Sequence, residues 1–414
     1  MSDTLQKRLR ILLSAYACEP GKGSEPGVGW NWALTLVRRG HEVWVLTRRN
    51  NQTNIETEYN RLDPVIQDRL HFLYYDLPRW ASWWKKGGRG VHLYYALWQR
   101  NIVPLAIAAH EQHRFDVAHH LTFGVWRQPS FLYKLDIPLI FGPVGGGEAA
   151  PWYLVRSLPF KDQVAEVLRY VVNWLSLVNP TLRHGLKQAA CIVAKTPETA
   201  AWIERAGHKS LVSLEIGIET AHPSDRPPGQ KPLKCLYAGR LIGLKGVHLA
   251  LAAVAEARQR GEDVALTIVG RGPMKPVLQA SVNALGMTEH VTFIDWLSQP
   301  ELHAQYRSHD LLIFPSLHDS SGNVILEAFS HGLPALCLRL GGPGVLVDDT
   351  CGIALDTSGK SVQKLVEELA DKLVCLSTDH SMLAALSAGA HQQASSRSWN
   401  AVVELIYKPF ESFG

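Results

Sequence analysis

Two stretches of the chain share one local order: a short apolar run, a glycine-rich loop and a segment with helical spacing. The apolar run lies at 10–17 in the first stretch and at 234–238 in the second, and the helical segments begin at Trp30 and Val247. Such an order opens a unit of parallel strands joined by a helix, in which the strands are buried on both faces. The two stretches therefore predict two doubly wound α/β domains.

Further apolar runs of strand length continue both series. They lie at 41–47, 70–75, 117–120, 139–141, 191–194, 265–269, 291–294, 311–314 and 335–338. Between the two series, residues 219–231 read ETAHPSDRPPGQK, and their proline and glycine content indicates a linker. We therefore expect a first domain at 1–218, the linker at 219–231, a second domain at 232–398 and a C-terminal helix at 399–414.

The composition is typical of a globular protein. Of the 414 residues, 46% are hydrophobic and 19% are charged, and no apolar run is long enough to span a bilayer. The six cysteines form no CxxC pair, which favours reduced core cysteines in a cytosolic protein. Lys7, Arg8 and Arg10 precede the first apolar run as in an export signal, but the run is short and a buried strand explains it better. We expect a cytoplasmic location.

Positive charge is concentrated in the first half of the chain. Residues 1–220 hold 26 Lys and Arg against 19 Asp and Glu, whereas the whole chain has 42 against 38. Such an excess suits an anionic acceptor or an anionic membrane surface, and random scatter of charge is the alternative.

Residues 79–100, RWASWWKKGGRGVHLYYALWQR, combine six Trp and Tyr with five Lys and Arg and contain no acidic residue. Trp and Tyr favour the bilayer interface, and Lys and Arg are attracted to anionic lipid. Gly87-Gly88 divide the segment into two short pieces. We expect peripheral contact through this segment with the cytosolic face of the inner membrane. Packing of the aromatic rings in the core is the alternative.

The strongest single motif is PSLHDSSGNVILEAFSHGLPAL at 315–336. A buried strand ends before it, Asp319 follows in a tight turn, and a helix is expected to begin near Asn323. The free backbone N–H groups at a helix start bind anions such as a diphosphate. Asp319 and Glu327 can then face one site, where carboxylates accept hydrogen bonds from sugar and ribose hydroxyls. The alternative is a solvated Asp and a Glu favoured by the helix dipole.

A second motif, AGRLIGLKGVHLALAA at 238–253, places two basic residues in the loop between a strand and a helix. Arg240 offers bidentate contact to phosphate and Lys245 a compact charge, so the pair can neutralise a leaving diphosphate. The alternative is that both side chains are merely solvated.

Together with VGRGP at 269–273 and VTFIDWL at 291–297, these motifs resemble glycosyltransferase family 4, whose members have the GT-B fold and retain the anomeric configuration. The resemblance covers nearly the whole chain. It implies two Rossmann-like domains facing across a cleft, a C-terminal helix returning to the first domain, and a nucleotide-diphosphate sugar as donor. The chain departs from the family pattern at Asp319 (usually Glu), at Ser320-Ser321-Gly322 (usually Gly-Phe-Gly), at Ile216-Gly217-Ile218-Glu219 (usually Asn-Gly-Ile/Val-Asp) and after Gly341-Gly342, where the usual Glu is missing.

The resemblance implies a role for each candidate donor residue. By this resemblance, Arg240 and Lys245 would hold the diphosphate, Glu327 would bind the ribose and Asp319 would contact the donor sugar. The backbone of Gly322, Asn323 and Val324 would contact the sugar and the phosphates. Arg271, Trp296 and Leu297 would border the base and ribose.

The first domain contributes a histidine pair in DVAHHLTFG at 116–124. Many members of the family have His-x-His here, and one histidine contacts the donor sugar. We take His120 as catalytic, with Arg240, Lys245 and Asp319, and we place His119 and Thr122 on the acceptor side. Which histidine faces the cleft is left open, and a structural histidine is the alternative.

Two glycine-rich stretches of the first domain complete the candidate site. In CEPGKGSEPGVGW at 18–30, Gly27 and Gly29 would let backbone approach the diphosphate. In FGPVGGGEAAP at 141–151, Gly146 and Gly147 suit a loop approached by a ligand, with Glu148 on the acceptor side. The alternative for the second stretch is a flexible turn.

The sequence contains no Asp-x-Asp, which metal-dependent transferases use to hold a cation, so we expect no metal and no cofactor. The expected function is transfer of a hexose-type sugar to a glycan or lipid-linked glycan, in bacterial surface polysaccharide or glycolipid synthesis, with no nucleic acid partner. A nucleotide-sugar epimerase, a phosphorylase and a non-catalytic nucleotide-sugar-binding protein are the alternatives. A nicotinamide enzyme is disfavoured because Trp32 replaces the third glycine of the fingerprint and Thr47-Arg48-Arg49 ends the second strand.

Overall fold

The computed structural model describes residues 7–85, 90–219 and 231–412. The chain divides into two compact units, each built around a parallel sheet. The first unit comprises Met1–Gly147, Asn173–Ile216 and Trp399–Gly414, and the second comprises Glu148–Val172 and Gly217–Ser398. The expectation of two doubly wound α/β domains is confirmed.

The first sheet has seven strands in the order β3-β2-β1-β4-β5-β6-β7, all parallel. The strand order reverses between β1 and β4, and ligands of such sheets bind beyond the carboxyl ends of the strands at this point. The strands are β1 (Arg10–Ser14), β2 (Glu42–Thr47), β3 (Leu70–Tyr74), β4 (Val117–His120), β5 (Leu139–Val144), β6 (Cys191–Ala194) and β7 (Leu211–Val212).

The second sheet has six strands in the order β10-β9-β8-β11-β12-β13, again all parallel. Its order reverses between β8 and β11, the two strands that precede the two strongest sequence motifs. The strands are β8 (Leu233–Ala238), β9 (Val264–Val269), β10 (Val291–Ile294), β11 (Leu311–Phe314), β12 (Ala335–Leu338) and β13 (Gly352–Leu355).

Helices connect the strands in both units. In chain order they are α1 (Ser24–Arg38), α2 (Gln52–Tyr59), α3 (Pro64–Gln67), α4 (Arg79–Ser82), α5 (Val91–Asn101), α6 (Val103–His113), α7 (Trp152–Val155), α8 (Phe160–Leu177), α9 (Pro180–Gln188), α10 (Pro197–Arg205), α11 (Val247–Gln259), α12 (Lys275–Ala284), α13 (Gln299–Ser308), α14 (Asn323–Ser330), α15 (Gly341–Leu346), α16 (Val362–Thr378), α17 (His380–Ser396) and α18 (Trp399–Glu411).

The C-terminal helix α18 belongs to the first unit. Its Glu411 accepts hydrogen bonds from the Arg39 guanidinium at 2.8 Å and lies 2.9 Å from His41 Nε2. Its Tyr407 is fully buried, with the hydroxyl 2.9 Å from His119 Nδ1. The helix therefore returns to the first unit, as expected.

Helix α1 begins at Ser24, earlier than predicted, so Gly27 and Gly29 lie within its first turns and not in a loop. A Cβ atom on Gly29 would stand 2.2 Å from the Ala17 carbonyl oxygen, and one on Gly27 would stand 2.1 Å from that of Lys22. Close packing of the helix start on the loop between β1 and α1 therefore requires glycine at both positions and overrides its low helix propensity.

Residues 148–172 belong to the second unit, although their place in the sequence suggested the first. The Tyr153 hydroxyl donates to the Thr357 carbonyl, and a Cβ atom on Gly243 would stand 3.1 Å from the Leu158 side chain. The domain boundary predicted at 218 is corrected in this respect. Of the predicted linker, residues 220–230 lie outside the described part of the chain.

The aromatic residues of 79–100 are divided between core and surface. Tyr95 and Trp98 pack edge-on against Tyr16 at ring distances of 5.0 and 5.1 Å in the buried core, whereas Trp80 and Trp83 are exposed. The segment does not present one continuous aromatic surface, because α5 uses its apolar face to cover the first sheet. Lys86 to Arg89 lie outside the described residues. None of the helices in the described residues has the length and apolar character needed to span a bilayer.

The structure also corrects two smaller expectations. The short strands β7 and β13 were not predicted, since neither has a distinctive apolar run. Cys375 is exposed and Cys191 is half-buried, whereas the other four cysteines are buried as expected.

Candidate active site

The loop from Gly239 to Gly246 follows β8 and carries both basic candidates of the second unit. Arg240 is exposed, and Lys245 is half-buried at the end of the short 3₁₀ turn Gly243–Lys245. Gly246 has φ +68°, and a Cβ atom there would stand 1.8 Å from the Pro315 carbonyl oxygen. The loop is thereby held against the end of β11.

Lys245 and Asp319 form an ion pair. The Lys245 ammonium donates to Asp319 Oδ2 at 2.5 Å and to the His318 carbonyl oxygen at 3.1 Å. The structure thus brings together two residues that lie far apart in the sequence and that the resemblance assigns to different parts of the donor.

Asp319 also shapes the turn that follows it. Its Oδ1 accepts from the backbone N–H groups of Ser321 at 3.1 Å and Gly322 at 2.8 Å. Burial raises the pKa of Asp319, but the Lys245 ammonium and these N–H groups outweigh it and hold the pKa below its usual range. The carboxylate is therefore charged at neutral pH.

Helix α14 begins at Asn323, as predicted. Gly322 stands before it with φ +71°, and a Cβ atom there would meet the Leu346 side chain at 2.8 Å. The side-chain oxygen of Asn323 is buried and has no partner among the described residues. The first N–H groups of the helix and Asn323 form a polar cluster beside the Lys245–Asp319 pair.

The glycine pair Gly341-Gly342 packs on this turn. The Gly342 N–H donates to the Asp319 carbonyl oxygen at 2.8 Å, and a Cβ atom on Gly341 would stand 2.1 Å from the same oxygen. Glu148, expected on the acceptor side, is instead buried in the second unit. The same Cβ atom on Gly341 would stand 3.6 Å from Glu148 Cγ, so this side chain packs against the glycine pair.

Glu327 lies one turn into α14, where its Oε2 accepts from the Tyr306 hydroxyl at 3.0 Å. Burial raises the pKa of this carboxyl above its usual range, and the hydroxyl lowers it in part. Keeping a charged carboxylate here costs stability, which is typical of a residue retained for binding.

The residues expected near the base and ribose lie at the ends of β9 and β10. Arg271 and Trp296 are exposed, whereas Leu297 and Val324 are half-buried. The Arg271 carbonyl oxygen accepts from the Leu241 N–H at 2.9 Å, so its backbone is attached to the loop that carries Arg240.

Helix α8 brings a set of residues to this site that the sequence did not indicate. Arg169 donates to Glu166 and, at 3.1 Å, to His318 Nδ1. Glu166 is buried and accepts from the Ala150 N–H at 3.2 Å. Since the His318 carbonyl oxygen accepts from Lys245, these residues position the loop that carries the ion pair. Only their helical spacing could have suggested a shared face.

The histidines of the first unit are both buried. His119 Nε2 donates to the Gly142 carbonyl oxygen at 2.6 Å, so its Nδ1 accepts from the Tyr407 hydroxyl. His120 Nε2 lies 2.8 Å from the Tyr95 hydroxyl, and its Nδ1 has no partner among the described residues. Burial lowers the pKa of His119 to about 4 and that of His120 to about 3, so both are neutral at neutral pH.

The other first-unit candidates, Thr122, Gly146 and Gly147, make hydrogen bonds within that unit. The Thr122 hydroxyl accepts from the Ala17 N–H at 3.0 Å. The Gly147 N–H donates to the Thr199 hydroxyl at 3.0 Å, and the Gly146 carbonyl oxygen accepts from the Arg127 guanidinium. These hydrogen bonds hold the loop after β5 within its own unit. Glycine is required because Gly146 has φ +91° and a Cβ atom on Gly147 would stand 2.5 Å from Thr199 Cα.

A buried ion pair in the first unit was also missed. Lys195 donates to Glu215 at 2.6 Å at the carboxyl end of β6, with Glu25 at 3.9 Å. Burial raises the pKa of Glu25, and the Lys195 charge lowers it in part. Lys195, Glu215 and Glu25 are too far apart in the sequence for a motif to predict this ion pair.

Residues 232–379 match the family model described as Glycosyl transferases group 1. The second unit carries a glycosyl transferases group 1 domain. The candidate residues of the second unit from Arg240 to Glu327 lie within this match.

Named relatives align with parts of the chain. An alpha-D-kanosaminyltransferase of Streptomyces kanamyceticus is 32% identical over 29% of this chain and 31% of its own length. A GDP-mannose-dependent alpha-(1-6)-phosphatidylinositol monomannoside mannosyltransferase of Mycolicibacterium smegmatis is 32% identical over 55% of this chain and 66% of its own. The chain spans from 27% to 66% of the length of such curated relatives.

A solved structure of Anabaena HepE in complex with UDP and glucose is similar to this chain, with a TM-score of 0.59, 16% identity and coverage of 98% of this chain and 100% of that one. At this identity the likeness shows the fold alone. The fold is GT-B, with two Rossmann-like units.

Proposed function

We propose that the chain is a retaining hexosyltransferase of glycosyltransferase family 4, which moves a sugar from a nucleotide-diphosphate sugar to a glycan or lipid-linked glycan. The observation that carries the proposal is the Lys245–Asp319 pair beside the start of α14, within the glycosyl transferases group 1 domain. A cation, a carboxylate and free helix N–H groups at one strand end suit a diphosphate joined to a sugar. The names of the aligned relatives support a hexose-type sugar and bacterial glycolipid or glycoside synthesis.

In the proposed reaction, Arg240 and Lys245 hold the diphosphate and stabilise its charge as it leaves. The acceptor hydroxyl gives its proton to the departing phosphate oxygen while the bond from that oxygen to the anomeric carbon breaks. The acceptor oxygen then bonds to the same face of the sugar. Asp319 and the backbone from Gly322 to Val324 orient the sugar, and Glu327 binds the ribose.

A donor panel tests this proposal. Incubation with UDP-, GDP- and dTDP-sugars should release free nucleoside diphosphate with at least one donor, slowly to water and faster with an acceptor glycan. Release of an epimerised nucleotide sugar would favour an epimerase, and a need for inorganic phosphate would favour a phosphorylase. No turnover of any donor, with binding retained, would favour a non-catalytic binding protein.

The two carboxylates should separate in binding experiments. Glu327→Gln is expected to weaken a nucleoside diphosphate and the donor alike, by about 10- to 100-fold, the range for a hydrogen bond to a charged group. Asp319→Asn should weaken the donor and leave the free diphosphate at wild-type affinity or tighter, because Lys245 loses a competing carboxylate. Equal losses of diphosphate affinity in both variants, measured by calorimetry, would contradict this division.

Glu327→Gln has a matching stability signature. Because the pKa of Glu327 is raised in the folded state, the protonated carboxyl contributes most to the stability of the fold. This contribution to stability is lost as the pH rises through the raised pKa. The variant should therefore be more stable than wild type at alkaline pH, with the difference shrinking toward pH values near the usual pKa of Glu, about 4.3. A thermal melt at several pH values measures this.

Transfer is expected to need no divalent cation, because Arg240, Lys245 and the helix N–H groups supply the positive charge. Activity should persist after treatment with EDTA and passage over a desalting column. Loss of activity with EDTA and recovery with Mn²⁺ or Mg²⁺ would overturn this prediction.

A further inference from the structure

The carboxyl group of Glu327 has a single hydrogen-bond partner among the described residues, the Tyr306 hydroxyl. Its Oε2 accepts from this hydroxyl at 3.0 Å, whereas its Oε1 has no partner in the same part of the chain. Within the ranges 7–85, 90–219 and 231–412, no cation pairs with this carboxyl either. Tyr306 therefore makes the two carboxyl oxygens different: one is held from within the unit, and the other is left for a ligand.

The ring of Tyr306 is itself held in place. Tyr306 lies in the last turn of α13 and is fully buried. Its ring stacks on that of His331 at a centroid distance of 5.9 Å, and the ring of His303 lies edge-on to His331 at 4.8 Å. His331 is buried directly after the end of α14, the helix that carries Glu327. Because these rings restrict Tyr306, its hydroxyl stays directed at Glu327, and little rotamer entropy is lost when the hydrogen bond forms.

The hydrogen bond favours the charged form of Glu327. Burial raises the pKa of this carboxyl, and the Tyr306 hydroxyl lowers it in part. Burial and the neighbouring Glu327 charge raise the pKa of Tyr306 well above its usual value, so the hydroxyl keeps its proton and is the donor. A charged carboxylate accepts stronger hydrogen bonds from hydroxyl groups than a neutral carboxyl does.

We propose that Tyr306 is a positioning residue for the ribose contact: its hydroxyl holds Oε2 of Glu327, so that Oε1 accepts from the ribose hydroxyls of the donor. Tyr306 is fully buried, so it acts through Glu327 and not by touching the donor. The inference rests on the proposed function, because that function assigns Glu327 to the ribose.

Tyr306→Phe tests the proposal, since it removes the hydroxyl and keeps the ring that packs on His331. The probes are UDP, GDP and dTDP, each beside its dideoxy form, which has no ribose hydroxyl. The variant should bind at least one diphosphate about 5- to 50-fold more weakly than the wild type does, somewhat less than the range for a hydrogen bond made directly to a charged group. It should bind the dideoxy form of the same diphosphate as the wild type does. Calorimetric titration measures both affinities.

Tyr153→Phe is the matched control. Its hydroxyl also donates within the second unit, to the Thr357 carbonyl oxygen, so this variant loses a comparable hydrogen bond away from Glu327. It should bind every probe like the wild type. In a Glu327→Gln background, Tyr306→Phe should change the affinity by less than about twofold, because two residues that act through one contact are not additive.

The titration of Glu327 in the free protein gives a readout that loss of packing would not reproduce. In NMR spectra with isotope-labelled Glu carboxyls, the resonance that disappears in Glu327→Gln identifies the residue. Its pKa should be higher in Tyr306→Phe than in the wild type, because the hydroxyl that lowers it is gone. Diphosphate affinity, which needs the charged carboxylate, should then begin to fall at a higher pH in the variant as the solution is acidified.

Two results would overturn the proposal and leave the proposed function standing. One is an unchanged pKa of Glu327 in Tyr306→Phe. The other is an equal loss of affinity for a diphosphate and its dideoxy form, which would make Tyr306 a packing residue of α13. Failure of every diphosphate to bind the wild type would instead overturn the proposed function, and the ribose role of Glu327 and Tyr306 with it.

Discussion

Replacing Arg240 with alanine is expected to lower kcat/KM by about 30- to 1,000-fold, a loss of roughly 2–4 kcal/mol of transition-state stabilisation. Arg240 is exposed at the end of β8, in the same loop as Lys245. Its guanidinium is therefore available to a departing diphosphate, and it can be removed without opening a cavity. The effect should fall mainly on kcat, since charge on the leaving group develops in the transition state.

Lys364→Ala is the matched control for this variant, because Lys364 is an exposed basic residue of α16 in the same unit. Both variants should melt within about a degree or two of the wild type, as surface substitutions usually do. A kcat/KM of Arg240→Ala within a factor of a few of the Lys364→Ala value would remove Arg240 from the diphosphate site.

Replacing Gly246 with alanine should destabilise the second unit by about 2–6 kcal/mol and abolish donor turnover. The left-handed backbone at φ +68° is strained for any residue with a Cβ atom, and that atom would stand 1.8 Å from the Pro315 carbonyl oxygen. Relief requires the loop to move away from the end of β11. Lys245 would then move away from Asp319, so the ion pair and the diphosphate site would be lost together.

The variant Gly261→Ala separates the cost of backbone strain from the cost of the steric clash with Pro315. Gly261 also has a positive φ, +93°, but a Cβ atom there would meet nothing within 4 Å. Its substitution should cost only the backbone strain, about 1–2 kcal/mol, with turnover retained. If denaturant unfolding shows that Gly246→Ala and Gly261→Ala lose the same free energy of unfolding, the close approach of Gly246 to Pro315 is not what holds the loop.

Strand positions were predictable because buried parallel strands read as continuous apolar runs. Five strands have the predicted bounds, and the other predicted strands differ by a few residues at their ends. The five are Val117–His120, Cys191–Ala194, Val291–Ile294, Leu311–Phe314 and Ala335–Leu338. The start of α14 was predictable for a related reason: the turn before it needs glycine, and Gly322 marks it.

Features that depend on packing between distant segments were not predictable. Two contacts, Lys245 with Asp319 and Arg169 with His318, join residues that share no motif. The place of 148–172 in the second unit likewise depends on packing that no motif in this segment reveals. The glycines of α1 misled the prediction of a loop, because a close approach to backbone and an approach to a ligand require the same residue. Only the atoms that surround such a glycine in the fold show whether it approaches backbone or a ligand.

The central claim is that the second unit binds the nucleoside diphosphate part of a sugar donor through Arg240, Lys245 and Glu327. Calorimetric titration of UDP, GDP and dTDP into the wild type, Arg240→Ala, Glu327→Gln and Lys364→Ala tests it most directly. At least one diphosphate should bind the wild type and Lys364→Ala alike, and bind Arg240→Ala and Glu327→Gln at least tenfold more weakly. Failure of all three diphosphates to bind the wild type, or equal binding to all four proteins, would contradict the claim.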